Sequence, residues 1–137
     1  MLLLPVQHIV EHLDSIGGQV KKYIYQQPRL YSPANLLLIL NILKQLSVFK
    51  PDVIHIQGGH PWLSLALPCL RLRGYHIVTT LHDIRPHPGE NYLRTRLILF
   101  MARKFSNQVI VHGQKIKALL EESYPASRIN VIPIGIL

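Results

Sequence analysis

The chain has 137 residues, 48% hydrophobic and 16% charged, a balance that fills one core and excludes a disordered chain or two full-sized domains. Its one cysteine, Cys69, excludes an intrachain disulfide and a two-cysteine metal site; the apolar run around it makes it a small buried residue of a reducing compartment. Fifteen Lys and Arg against seven Asp and Glu leave a net charge of +8, so the partner is expected to be anionic, unless the charge is only a solvated basic surface. The basic residues are scattered, with no aromatic interleaving, and nucleic acid is not an expected partner.

In chain order, MLLLPVQHIV has no basic segment before its apolar stretch, which breaks at Pro5, so it does not read as a secretory signal. Residues 7–16 suit a helix stopped by Gly17 and Gly18, and residues 20–25 a strand. Ser32-Pro33 starts a helix that runs to about Phe49, where Pro51 forbids continuation. Asn41, Lys44 and Gln45 interrupt that apolar helix well short of the about 20 residues that span a bilayer. A soluble, cytoplasmic protein is expected.

Residues 52–56 form a short apolar strand, and His60-Pro61 starts a helix ended by Arg71, Arg73 and Gly74. Residues 76–81 form a β-branched strand followed by a proline-rich loop through Pro86 and Pro88. A helix over 91–105, a strand over 108–111, a helix from Gly113 to about Ser123 and a last strand over 129–132 complete the pattern. Strands alternating with helices predict an α/β domain, 1–137, with a Rossmann-like, mostly parallel sheet and helices on both faces. DVIHI and NQVIV are nearly all apolar, which predicts strands buried on both faces. Trp62 and Phe100 are expected in the core. Both ends read as cut: the helix near Met1 leaves no room for an opening strand and its glycine loop, and the chain stops soon after a strand and Gly135.

Histidines cluster at the strand ends. His55 and His60 accompany the strand 52–56, and His82 and His87 follow 76–81 with Asp83 and Glu90. His112 ends the strand 108–111. Parallel topology puts all of them on one rim, where such sheets bind ligands. One reading is a polar rim for a hydroxylated or phosphorylated ligand, with imidazoles donating or accepting hydrogen bonds. A second is a metal site, from the spacings His55-x4-His60 and His82-x4-His87, though neither pair lies on a helix face as in HExxH. A third is structural, above all for His55 between Ile54 and Ile56, as a buried, hydrogen-bonded imidazole. Gly58-Gly59 either lets a ligand approach the backbone or makes an ordinary strand-to-helix turn. There is no G-x-S-x-G elbow, no G-x-G-x-x-G fingerprint and no phosphate loop.

Three segments carry a resemblance: KPDVIHIQGGHPW (50–62), IVTTLHDIRPHPGE (77–90), and NQVIVHGQKIKALL with RINVIPIGIL (107–137). In this order and spacing the chain resembles the N-terminal, acceptor-side domain of family 4 glycosyltransferases of the GT-B type. The resemblance implies transfer of a hexose from a nucleotide-sugar to an acceptor hydroxyl, with retention, once a donor-binding domain completes the cleft. It implies no metal and no cofactor beyond the nucleotide-sugar co-substrate. The donor-binding half, with its E-x7-E motif, is expected to lie outside this chain, as is the first strand. His82 matches the family histidine that faces the transferred sugar. Gln57, Gly58, Gly59, His60, Asp83, Arg85, His87, Glu90, His112 and Gly113 belong to the matching substrate-binding loops. Implied partners are a sugar or lipid-linked acceptor, a separate donor-binding domain and, from the charge, weak contact with an anionic membrane at its inner face. The alternative is a non-catalytic remnant or split subunit that binds such an acceptor or a partner chain.

Overall fold

The computed structural model describes residues 2–5, 22–26, 28–29, 32–57, 61–82, 84 and 92–133. The helix predicted over 7–16 and the glycines after it lie outside them. The chain divides into two compact units, Met1–Pro51 and Asp52–Leu137.

In the first unit, β1 (Leu2–Pro5) and β2 (Lys22–Tyr25) pair in parallel, Leu2 opposite Lys22 and Pro5 opposite Tyr25. The expectation of no opening strand is corrected here: residues 2–5 form one. The ladder uses backbone groups, and Pro5, which lacks an N–H, falls at the strand's last position. α1 (Ala34–Phe49) begins as its sequence predicts: Ser32 Oγ accepts the Ala34 N–H at 3.3 Å. Asn35, fully buried, adds a tie the sequence did not announce, its Nδ2 donating to the carbonyls of Arg29 (2.8 Å) and Ser32 (2.9 Å). The helix stops at Lys50, which turns left-handed (φ 50°) and donates its N–H to the Leu46 carbonyl ahead of Pro51. Asn35, Ile39, Ile42, Leu43 and Leu46 form its buried stripe.

The second unit holds β3 (Val53–Gln57), α2 (Pro61–Leu72), β4 (His76–Leu81), α3 (Tyr92–Phe105), β5 (Gln108–Val111), α4 (Gln114–Glu121) and β6 (Ile129–Val131). Its sheet runs β3-β4-β5-β6, all parallel. The architecture is α/β and Rossmann-like, as predicted. Because the order steps in one direction, crossovers of one hand put α2, α3 and α4 on the same face. The strands' burial agrees. Leu81, Val109, Val111 and Ile129 pack with Leu99 and Ala102 of α3, Leu120 of α4 and Tyr124. Val109, Val111 and Leu120 are at most 1% exposed, and each such side chain contributes about 1.5–3 kcal/mol by leaving water.

The expectation that the apolar strands are buried on both faces is corrected. β3 is an edge of this four-stranded sheet, and only Ile54 of its five residues is buried; β5 alternates buried and half-buried positions. The parity that faces away from the core cluster carries polar cross-strand pairs instead. His55 Nε2 meets Thr80 Oγ1 at 2.8 Å, and Asn130 Nδ2 donates to Gln108 Oε1 at 2.9 Å.

Two further expectations fail for one geometric reason. α2 turns Ser64, Ala66, Leu67 and Leu70 inward, which leaves Cys69 on the outside; its thiol is exposed. α3 turns Leu99 and Ala102 inward and Phe100 outward. Trp62 is half-buried. α2 closes as predicted: Gly74 adopts φ 84°, Gly74 N–H bonds the Arg71 carbonyl, and Tyr75 N–H bonds the Leu70 carbonyl. No helix among the described residues is long and apolar enough to cross a membrane.

Candidate functional site at the carboxyl ends of the strands

Parallel register aligns the ends of β3, β4 and β5. Gln57 stands level with Thr80, and Leu81 with Val111. One residue further, His82 and His112 stand level, and the alternation of side chains directs both to the same face. Their rings meet there, with centroids 4.9 Å apart and planes tilted by 35°.

His112 is tethered. Its Nδ1 lies 2.8 Å from the Ile132 carbonyl oxygen, just beyond β6, and a carbonyl only accepts, so Nδ1 carries the proton. In the neutral ring Nε2 then carries a lone pair; that atom is buried and has no hydrogen-bond partner among the described residues. The Ile132 carbonyl is itself held in place, because Ile132 N–H continues the ladder to the Val111 carbonyl at 2.9 Å. His82 is exposed and His112 partly buried, so the pair presents one free imidazole backed by one fixed imidazole. Such a pair can donate to and accept from a hydroxylated ligand and set its orientation.

Gly113 follows His112 as the residue before α4. Its backbone is extended (φ −156°), an added Cβ would meet nothing within 4 Å, and no side chain caps the helix.

A family model for Glycosyltransferase Family 4 matches residues 8–136. This chain belongs to Glycosyltransferase Family 4. No curated protein matches it. Among solved structures it is similar to Anabaena HepE, crystallised in complex with UDP, with a TM-score of 0.60 and 20% sequence identity. The match covers 85% of this chain and 31% of HepE, so the chain spans about a third of that protein's length. At this identity the likeness speaks to the fold, and it supports the Rossmann-like half of a GT-B architecture.

Of the predicted site residues in this family 4 chain, the structure brings His82 and His112 together and puts Gly113 beside them. Gln57 stands exposed at the end of β3, on the same face of the sheet. Gly58, Gly59, His60, Asp83, Arg85, His87 and Glu90 lie outside the described residues. His55 has the hydrogen-bond partner expected of a structural histidine, Thr80, but its side chain is exposed, because β3 is an edge strand. Among the described residues no three potential metal ligands come together. Sequence reasoning missed Thr80 and the Ile132 carbonyl. Thr80 is recoverable from strand register; a backbone carbonyl leaves no mark in the sequence.

Proposed function

We propose that this chain is the acceptor-side domain of a GT-B glycosyltransferase that moves a hexose from a nucleotide-sugar to an acceptor hydroxyl once a donor-binding domain closes the cleft. The observation that carries the reading is the His82–His112 pair at the carboxyl ends of β4 and β5, in a chain of Glycosyltransferase Family 4. In this reading His82 hydrogen-bonds a hydroxyl of the transferred sugar and His112 backs it. Gln57, Gly58, Gly59, His60, Asp83, Arg85, His87, Glu90 and Gly113 line the acceptor side. The acceptor is a sugar or a lipid-linked saccharide, the nucleotide-sugar is a co-substrate and not a resident cofactor, and the protein works at the inner face of the membrane from the cytoplasm.

The chemistry gives each half its task. As the glycosidic bond to the diphosphate breaks, negative charge grows on the leaving oxygens and needs fixed donors or cations nearby. Donor and acceptor must also be held in contact, which is worth about 7–11 kcal/mol of barrier in favourable cases. The rim supplies imidazoles for orientation. The E-x7-E pattern of the donor half is not found in these 137 residues, whose glutamates stand at 11, 90, 121 and 122. The 137 residues by themselves are therefore expected to be silent in transfer.

The test joins the chain to a donor-binding domain of the family and offers a panel of nucleotide-sugars and saccharide or lipid acceptors, with products read by mass spectrometry. The expected result is transfer by the joined protein and none by the 137-residue chain. Turnover by the short chain alone, or a folded joined protein that binds acceptor yet never transfers, would overturn the reading; the latter would favour a non-catalytic binding subunit.

A further inference from the structure

We propose that the Ile132-Pro133 step is a positioning element of the histidine pair: it holds His112 in one tautomer, and His112 acts on ligand only through the ring of His82. The last part rests on the reading of His82 as the ligand-facing residue.

The positioning begins in the backbone. β6 ends at Val131, and Ile132 extends its ladder by one bond, from its N–H to the Val111 carbonyl at 2.9 Å. In an extended chain the N–H and C=O of one residue point to the same side, so the Ile132 carbonyl also faces β5. There it receives a side chain: His112 Nδ1 donates to it at 2.8 Å. The next residue decides how firmly this carbonyl is aimed. A residue before proline is kept extended, because the helical region brings it against the proline ring. Pro133 therefore keeps the Ile132 carbonyl turned toward β5. Pro133 is itself exposed, so its ring fills no core.

Neither ring nitrogen of His112 is open to a ligand. Nδ1 is taken by the carbonyl, and Nε2 is buried, without a hydrogen-bond partner among the described residues. What His112 offers is its ring, 4.9 Å from that of His82 between centroids, inside the range of an aromatic contact. His82 is exposed, and no hydrogen bond of its side chain to a described residue holds it. A side chain held along one face keeps fewer rotamers. The fixed ring of His112 thus orders His82 before ligand arrives, and binding is spared that ordering cost. The tether fixes the rotation of the His112 ring as well as its proton, so the surface behind His82 does not turn.

The first measurement uses the chain alone: two-bond proton–nitrogen correlation of the histidine rings in the labelled protein, at mildly alkaline pH, where free imidazoles are neutral. His112→Asn and His82→Ala assign the two rings by the signals they remove. His112 is expected to show the fixed Nδ1–H pattern. Pro133→Ala frees Ile132 to leave the extended region; it should move His112 toward the exchange-averaged pattern and shift the His82 signals with it. An averaged or Nε2–H pattern for His112 in the wild type overturns the proposal. So does a folded Pro133→Ala protein in which both rings are unchanged.

The second measurement is a double-mutant cycle in the completed enzyme. His112→Asn keeps an N–H for the Ile132 carbonyl and removes the ring behind His82. KM should rise about two- to tenfold, as one side chain must then be ordered on binding, while kcat changes less. In a His82→Ala background the same change should add nothing. An added loss there would mean that His112 meets ligand directly, and would overturn the proposal. If the joined protein never transfers, the proposed sugar transfer fails, while the His112 tautomer and the response of His82 to Pro133→Ala are still decided on the chain alone.

Discussion

At the amino end of β4, the Asn107 side chain accepts two hydrogen bonds at 2.9 Å, from Ile77 N–H and from Arg71, while Asn107 N–H returns one to the Ile77 carbonyl at 2.8 Å. Beside it, Ser106 Oγ pairs with Thr79 Oγ1 at 2.7 Å, and the Tyr124 hydroxyl donates to the Ser106 carbonyl at 3.2 Å, all three residues buried. At the carboxyl end of the same strand, His82 is exposed and His112 keeps a buried nitrogen with no partner among the described residues. Both ends are polar, but one end closes its hydrogen bonds internally and the other leaves its groups open. A closed polar network contributes to stability, since each buried group would otherwise lose its water without compensation. The exposed His82 imidazole contributes little to folding and is available to a ligand. Substitutions at the two ends should therefore separate: the amino end should move stability, the carboxyl end binding.

The largest stability effect is expected from Asn107→Leu. It strips the acceptor from the N–H of Ile77, a fully buried residue, and from Arg71. An unsatisfied buried donor costs about 1–3 kcal/mol, so the melting temperature should drop by several degrees. A melting curve within error of wild type would show that the amino end is not the closed network described here.

His82→Ala should show the converse. No hydrogen bond of its side chain to a described residue anchors the fold, so stability should stay within about 0.5 kcal/mol of wild type. In the completed enzyme, loss of a hydrogen bond to the sugar should lower kcat/KM by about tenfold or more, as a bond worth roughly 1.5 kcal/mol is removed. Thermal melts and steady-state kinetics on the same preparation separate the two quantities. A large fall in melting temperature would make His82 a structural residue and break the comparison.

The comparison also marks what the sequence could and could not carry. β4 and β5 were legible to the residue, because a β-branched run after Gly74 and an apolar run after Asn107 have clear starts. That His82 and His112 share a rim followed from parallel topology. That they touch did not, because it depends on the register that sets Leu81 opposite Val111. Cys69 and Phe100 were misplaced because their helices are apolar on most sides. Such a pattern gives the period of the helix but not its rotation toward the core. The return of β6 to place a carbonyl against His112 spans 20 residues and uses a group every residue has, so no pattern could announce it.

Gly74→Ala tests the closed end with a smaller change. Gly74 has φ 84°, in the left-handed region, where an L side chain costs about 1–2 kcal/mol. No atom lies within 4 Å of an added Cβ, so the whole penalty is conformational. A stability loss of about 1 kcal/mol by urea titration is expected. A neutral result would mean that the end of α2 relaxes to another cap.

Gly113→Ala should have the smallest effect of all on folding, and that makes it the sharper probe of the open end. Its backbone is extended, a region alanine occupies freely, and the added methyl meets no atom within 4 Å. Nothing inside the described protein requires glycine there, so urea titration should place the variant within about 0.5 kcal/mol of wild type. Gly113 is among the residues that the proposed function assigns to the substrate side. If a saccharide or its nucleotide-linked donor approaches the backbone at that point, the methyl must collide with it. KM should then rise in the completed enzyme while the melting curve stays put. An unchanged KM would show that ligand keeps clear of Gly113 and would confine the open end to the two histidines; a fall in stability would show that the carboxyl end is packed more tightly than an empty neighbourhood allows.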